Sequence, residues 1–342
     1  KKMVAPSTIT DLIDVTDDLG PVPCRFLYKK ENQQPSGSFK LRGMSHKIFN
    51  SVKDASESDA LNSVHVYCSS GGNAGLAAAY ASKFYAKPCT VVLPKTAKQA
   101  AIDKLEDLGA EVIVYGAHWG EADNHLREVI MAKAQPSVKT VYCHPFDDEI
   151  LWEGHAAMVD EIAYQLKDMS ISIDKVKGIV CSCGGGGLYN GIVTGLKRNI
   201  GLEKVPVLVI ETVQTPTFKN SVIAGKPSTL TSINTLSTSL ASPYVAQRTF
   251  DNYHNHATTV ELIDDLEAVD ATVAFNDVFG EVIEPACGAT VAVSMKRQDL
   301  LQAFGPLQPK DVVIFIVCGG STVSPETMDS YRQLIKQAES LC

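Results

Sequence analysis

Apolar positions in this chain fall in short continuous runs, separated by longer stretches where they recur every three or four residues. VHVYCS (64–69) is an apolar run of the kind that makes a buried strand. The alanine-rich stretch after it, GNAGLAAAYASKFYA (72–86), reads as a helix. The alternation repeats: PCTVVLP (88–94) predicts a strand, KQAAIDKLEDLG (98–109) a helix stopped by Gly109, and EVIVYG (111–116) a strand. EADNHLREVIMAKAQ (121–135) predicts one helix and TVYCH (140–144) a strand. A second series follows. WEGHAAMVDEIAYQLKDM (152–169) reads as a long helix, KGIVCS (177–182) as a strand, LYNGIVTGLKRN (188–199) as a helix and PVLVIE (206–211) as a strand. DLEAVDATVAFNDV (265–278), ATVAVSMKRQDLLQAF (289–304) and ETMDSYRQLIKQAE (326–339) read as helices, and DVVIFIVCGG (311–320) as a strand. Residues 215–260, rich in Ser, Thr and Asn, resist assignment. Strand–helix repetition implies an α/β protein of mostly parallel sheets flanked by helices, in two series interrupted near residues 40 and 145. There is no internal repeat and no low-complexity linker.

Composition narrows the class. A chain of 342 residues suggests about two domains. The net charge of −8, from 31 basic and 39 acidic residues, argues against nucleic-acid and anionic-membrane partners, which need clustered Lys and Arg. No apolar run is long enough to span a bilayer. The start, KKMVAPSTITDLIDVTDDLG, lacks the apolar core of a secretion signal. The expectation is a cytoplasmic protein whose nine cysteines are mostly reduced. No CxxC pair occurs, and Cys181 and Cys183 read as two thiols near a strand end.

Candidate chemistry concentrates in turns. QQPSGSFK (33–40) aims a lysine out of a small-residue turn beside a phenylalanine. Three glycine turns fall after strands and before helices, where α/β sheets bind ligands: SSGGNAG (69–75), CGGGGL (183–188) and CGGST (318–322). Each lets backbone N–H groups approach an anion at a helix start. The second turn has a rival reading. With Glu211 ending the next strand, CGGGGLYNG fits part of a nicotinamide-dinucleotide fingerprint. Four consecutive glycines suit a single compact phosphate better, and a dehydrogenase has no evident need for SGSFK.

In combination, QPSGSFKLRG, SSGGNAG, FDDEILWEGH, SCGGGGL, EPACGA and VCGGS resemble, in this order, the pyridoxal-phosphate enzymes of the tryptophan-synthase-β-like fold (fold type II). More narrowly, the chain resembles the eukaryotic L-serine/L-threonine dehydratases over about residues 26–322. The resemblance implies two domains with the active site in the cleft between them: a large phosphate-binding domain of residues 1–40 and 145–342, and a small carboxylate-binding domain of 41–144. Lys40 would carry pyridoxal 5'-phosphate as a Schiff base and act as the base. Phe39 would pack on the ring. Gly184, Gly185, Gly186, Gly187 and Leu188 would hold the phosphate, and Asn73 the ring hydroxyl. Ser70, Gly71, Gly72, Asn73 and Ala74 would hold the substrate carboxylate. Cys318 would face the pyridine nitrogen. A neutral thiol there shares a hydrogen bond without forcing the ring to protonate, which favours elimination over transamination or racemisation. A matching glutamate, Glu211, helps bind a monovalent cation such as K+ in the family; a structural carboxylate is the other reading. A small-molecule amino-acid substrate and a homodimer are implied.

Plainer readings stand beside these: Asn73 as a helix cap, Cys318 as a buried strand-end thiol, Lys40 as a surface lysine. His155, in WEGH, reads as packing. His254 and His256 have metal-like spacing without a third ligand and read as exposed. The chain departs from the family in APSTITDL near its start, in a longer segment at 231–245, and in Gly71 where some members have alanine. The expected activity is removal of water and ammonia from L-serine, and also from L-threonine. The alternatives are another β-substituted amino acid, a β-replacement such as cysteine synthesis, or a catalytically silent binding protein.

Overall fold

The structure is a computed structural model that describes residues 5–58 and 63–340. The first four residues, and Cys342, lie outside the described residues. The eight cysteines within them are all free and buried. Among the described residues, no helix is long and apolar enough to cross a membrane. The chain divides into two compact units, one of residues up to 8 and 34–154, the other of 9–33 and from 155 onward.

The larger unit begins with β1 (Leu12–Asp14) and β2 (Arg25–Lys30). The smaller unit then supplies α1 (Lys40–Ser56), β3 (Ser63–Cys68), α2 (Asn73–Phe84), β4 (Cys89–Leu93), α3 (Gln99–Asp107), β5 (Glu111–Val114), α4 (Trp119–His125) and β6 (Val138–Cys143). Its four strands form one parallel sheet in the order β5-β4-β3-β6, with Val66 opposite Cys89 on one side and Val141 on the other. Parallel strands are covered on both faces, so every residue of β4, CTVVL, is buried. The small side chains of α2 allow close packing, and Ala77, Ala78, Ala79 and Ala81 are buried. The single helix expected over 121–135 is instead three pieces. The α-helix ends at His125, a π-turn covers Leu126–Ile130, and a 3-10 turn covers Met131–Lys133. The change of pitch keeps Ala122 and Leu126 in a core cluster with Tyr67 and Val92. It also leaves Arg127 able to fold back onto Asp123.

Helix α5 (Glu149–Asp168) leads into β7 (Val176–Ser182), α6 (Gly187–Arg198), β8 (Val207–Thr212), α7 (Thr217–Ala224), α8 (Gln247–Asn255) and β9 (Thr258–Ile263). The stretch that resisted assignment thus holds two short helices and a strand. After these come α9 (Asp265–Phe279), α10 (Pro285–Met295), β10 (Val312–Val317) and α11 (Pro325–Glu339). The larger unit's sheet runs β1-β2-β10-β7-β8-β9, parallel except for β1 against β2. Strands β8 and β10 are buried at every position. The helix expected over 289–304 breaks. It stops at Met295 and resumes as a 3-10 turn from Gln298 to Phe304. At the break, Arg297 pairs with Glu267 and Asp299.

Two side chains overturn simple polarity rules. Lys29, on β2, is wholly buried, with its amine bonded to Thr10 O at 2.7 Å, Glu161 Oε2 at 2.7 Å and Gln165 Oε1 at 2.9 Å. His256, expected to be exposed, is buried, and its Nε2 lies 2.9 Å from Val205 O. Burial lowers its pKa. His254 is exposed, with its ring edge-on to Phe250 at 4.7 Å. His155 is buried in α5.

Candidate active site

In the smaller unit, the turn before α1 is drawn tight. Gly37 sits at φ +84° and its N–H donates to Gln34 O at 2.6 Å. Gln34 is itself fixed by two bonds to the Thr8 backbone, at 3.0 and 2.8 Å. The turn delivers Lys40 as the first residue of α1. Its Nζ donates to Pro145 O and lies 5.3 Å from the centre of the Phe39 ring. Both side chains are half-buried, so Lys40 is not a surface lysine. Gly154 lets α5 pass close to this helix. A Cβ there would lie 2.6 Å from Arg42 O and 2.8 Å from the Gly43 Cα.

The second turn, Ser69 to Ala74, joins β3 to α2. Ser70 Oγ accepts the Gly72 N–H at 3.2 Å. Gly72 is the N-cap residue and Asn73, buried, is the first residue of the helix, so the asparagine does not hold the cap position. Gly75 is required here, because a Cβ would fall 1.8 Å from Ser70 O. At Gly71 a Cβ would meet Leu93 at 3.3 Å, so the room that glycine leaves lies on the Leu93 side. The Cys68 thiol just before the turn is pushed up to about 11 by burial. The Ser70 and Ser69 N–H groups and the charge of Lys40 oppose that shift. The turn and Lys40 therefore share one electrostatic environment.

His144 directly follows β6, and its only sequence mark is its place as the last residue of the expected strand TVYCH. Its Nδ1 accepts the N–H groups of Phe146 (3.1 Å) and Asp147 (2.8 Å). Burial depresses its pKa to about 4, and the Lys40 charge adds to this against the pull of Asp123. It is neutral at physiological pH.

In the larger unit, the four glycines sit between β7 and α6. Cys183 N donates to Ile210 O at 3.0 Å, and Gly185 O accepts the Ala246 N–H at 2.9 Å. Gly186 has φ +98°, and a Cβ there would lie 1.9 Å from Thr249 Oγ1. At Gly184 a Cβ would lie 3.1 Å from Ser239 O. Helix α6 begins at Gly187, so the loop presents the start of a twelve-residue helix with its partial positive charge. Leu188 is buried behind it. Cys318 follows β10 and is 6% exposed. Its Sγ lies 3.8 Å from Ser182 Oγ, and burial, with Cys318 adding to it, holds the Cys287 thiol well above the usual range.

Glu211, at the end of β8, is fully buried. Its two oxygens accept the N–H groups of Phe218 and Lys219, each at 2.8 Å, at the start of α7. Burial raises its pKa to about 8 despite those bonds. Among the described residues, no group of three or more His, Cys, Asp or Glu is placed to hold a metal ion.

The class defined by these features is an α/β protein with glycine turns between strand and helix in both units and a half-buried lysine at a helix start. A family model for pyridoxal-phosphate dependent enzymes matches residues 6–319, and the chain belongs to that family. It is 41% identical over 336 residues to an L-serine dehydratase of Saccharomyces cerevisiae, covering 97% of each chain. It is 41% identical over 320 residues to the catabolic L-serine/threonine dehydratase of the same species, covering 92% of this chain and 89% of that one. Among solved structures, a fungal L-serine ammonia-lyase from Rhizomucor miehei superposes with a TM-score of 0.84 at 28% identity, covering 96% and 99% of the two chains. The fold is therefore fold type II.

The residues present fit the cofactor. It requires an amine for its aldehyde, N–H donors for its phosphate and neutral groups around its ring. Lys40 supplies the first. The glycine loop, which a Cβ at position 184 or 186 would crowd, has backbone N–H groups of the second kind. Phe39, Asn73 and Cys318 are of the kinds needed for the third.

Proposed function

We propose that the chain is a pyridoxal-phosphate-dependent ammonia-lyase that converts L-serine to pyruvate and ammonium, and L-threonine to 2-oxobutanoate and ammonium. The observation that carries this reading is that a chain 41% identical to an L-serine dehydratase over 97% of its length holds the Lys40 amine beside the Phe39 ring. Bound pyridoxal phosphate supplies an aldehyde that holds an amino group and a ring that draws electron density from Cα. The residues do the rest. The N–H groups of Gly184, Gly185, Gly186, Gly187 and Leu188 hold the phosphate. Phe39 packs on the ring, the Asn73 amide donates to the ring hydroxyl, and the Cys318 thiol meets the ring nitrogen. The turn Ser70, Gly71, Gly72, Asn73 and Ala74 holds the substrate carboxylate. Lys40 Nζ removes the Cα proton, a general-base step. The β-hydroxyl leaves as water, and the enamine that remains hydrolyses to the 2-oxo acid and ammonium.

In this reading the larger domain (1–40 and 145–342) binds phosphate and the smaller (41–144) binds carboxylate. The compact units divide differently: residues up to 8 group with 34–154, and 9–33 with 155 onward. The protein works as a cytoplasmic homodimer, and Glu211 contributes to a K+ site. The test is pyruvate and 2-oxobutanoate formation from serine and threonine, with O-acetylserine plus sulfide as the comparison. Lys40→Ala should lose both the cofactor's visible absorbance and all turnover. Purified protein that is colourless, and stays so when pyridoxal phosphate is supplied, would refute the reading.

A further inference from the structure

The carboxylate turn has a support on its far side that the reaction itself does not use. Asp123, in α4, is a buried carboxylate, 4% exposed. It accepts from three donors in the smaller unit. Ser69 Oγ donates to its Oδ1 at 2.7 Å, Tyr142 Oη donates to the same oxygen at 2.5 Å, and Arg127 Nε donates to Oδ2 at 2.9 Å. Ser69 is the residue directly before Ser70. A carboxylate that satisfies three donors is a rigid anchor, because charge-assisted bonds are roughly twice as strong as neutral ones. The turn is thus held from two sides. Gly75 presses against the Ser70 carbonyl from α2, and Asp123 holds Ser69 from α4.

The charges explain the third donor. A bare carboxylate beside a turn built to receive another carboxylate would repel it. Arg127 neutralises Asp123, and the π-turn from Leu126 to Ile130 begins at the residue before this arginine. The Tyr142 hydroxyl stays a donor, since burial and Asp123 both raise its pKa.

We propose that Asp123 is a positioning residue for substrate-carboxylate binding: through Ser69 it fixes the Ser70–Ala74 turn, with Tyr142 and Arg127 holding and neutralising it. The inference rests on the carboxylate role proposed above for that turn. It is tested with Ser69→Ala and with Tyr142→Phe, which is nearly isosteric. Two quantities are measured on cofactor-loaded protein: the KM and kcat for L-serine, and the calorimetric Kd for glycine, which has the carboxylate but no leaving group. Ser69→Ala should raise KM and the glycine Kd together by about tenfold, the factor that 1.4 kcal/mol represents. The kcat and the absorbance of the bound cofactor should not change. Tyr142→Phe should move the same two quantities in the same direction by less. Unchanged KM and glycine affinity in both variants would overturn the proposal. So would a fall in kcat or loss of bound cofactor as large as the rise in KM, because that marks general damage. If Ser69→Ala does not fold, Tyr142→Phe decides by the same criteria. A parent protein that binds glycine more tightly than its variants yet never turns over serine would sink the proposed reaction and leave the positioning role standing.

Discussion

Gly186→Ala puts the four-glycine loop under direct strain, and the cost can be worked from the structure. The residue sits at φ +98°, and holding an alanine in left-handed backbone costs ~1–2 kcal/mol. The new Cβ would also lie 1.9 Å from Thr249 Oγ1 and 2.8 Å from its Cβ and Cγ2. Thr249 is fully buried and β-branched, so turning χ1 exchanges one γ atom for another. Overpacking of this kind costs ~1–3 kcal/mol, which brings the total to ~2–5 kcal/mol. Gly225→Ala is the control. Gly225 has φ +66° with nothing within 4 Å of its added Cβ, so it carries the backbone strain alone. The assay is thermal unfolding of the cofactor-free proteins. At ~2–4 °C per kcal/mol for a unit of this size, Gly186→Ala should melt ~2–12 °C below Gly225→Ala. It should also take up pyridoxal phosphate more weakly. Alanine keeps the backbone N–H, so neither effect comes from a lost donor. If the two variants melted together, the loop would have room that the geometry denies, and the argument for a close phosphate fit there would fail.

Three further outcomes follow from buried charge. Lys29→Met strands Glu161 and should cost ~3 kcal/mol in urea unfolding, the low end of the range for a broken buried pair because Glu161 is partly exposed; a loss below ~1 kcal/mol would refute it. Glu211 has a folded pKa of about 8, above its ordinary 4.5, so its contribution to stability is complete below 4.5 and drains away as pH rises to about 8. Glu211→Gln lacks this titration, so the stability difference should shift toward the variant across that interval, and K+ should shrink the shift if it binds the ionised carboxylate; parallel pH curves would contradict the burial argument. His144, depressed from 6.5 to about 4, contributes stability above 6.5 that is lost as pH falls toward 4, and its ring proton resonance should titrate near 4; a midpoint between 6 and 7 would show a solvated ring.

The fold was legible where a residue's job is set by its neighbours in sequence. β4 and β10 read as strands because parallel strands are apolar on both faces. The turns at Gly37, Gly75 and Gly186 read as special because small residues cluster there, and each proves to need glycine for a positive φ or a close contact. β2 was missed because RFLYKK ends in two lysines, and nothing local shows that Glu161 and Glu281 will meet them. The break at Lys296 was missed because the apolar spacing runs on past it. His256 was misjudged for the same kind of reason, since the carbonyl that buries it belongs to Val205, 51 residues earlier.

By itself, the sequence determined the alternation of strand and helix, the glycine turns and the lysine that ends SGSFK. These depend on backbone freedom and on hydrophobic period, both of which are local. Only the tertiary structure decided which polar side chains lose water and to whom they turn. Asp123 becomes an anchor because Ser69 and Tyr142 reach it across 54 and 19 residues, and Glu211 becomes a helix cap because α7 starts at its carboxylate. Desolvation and pairing are properties of the packed chain, so no stretch of sequence carries them alone.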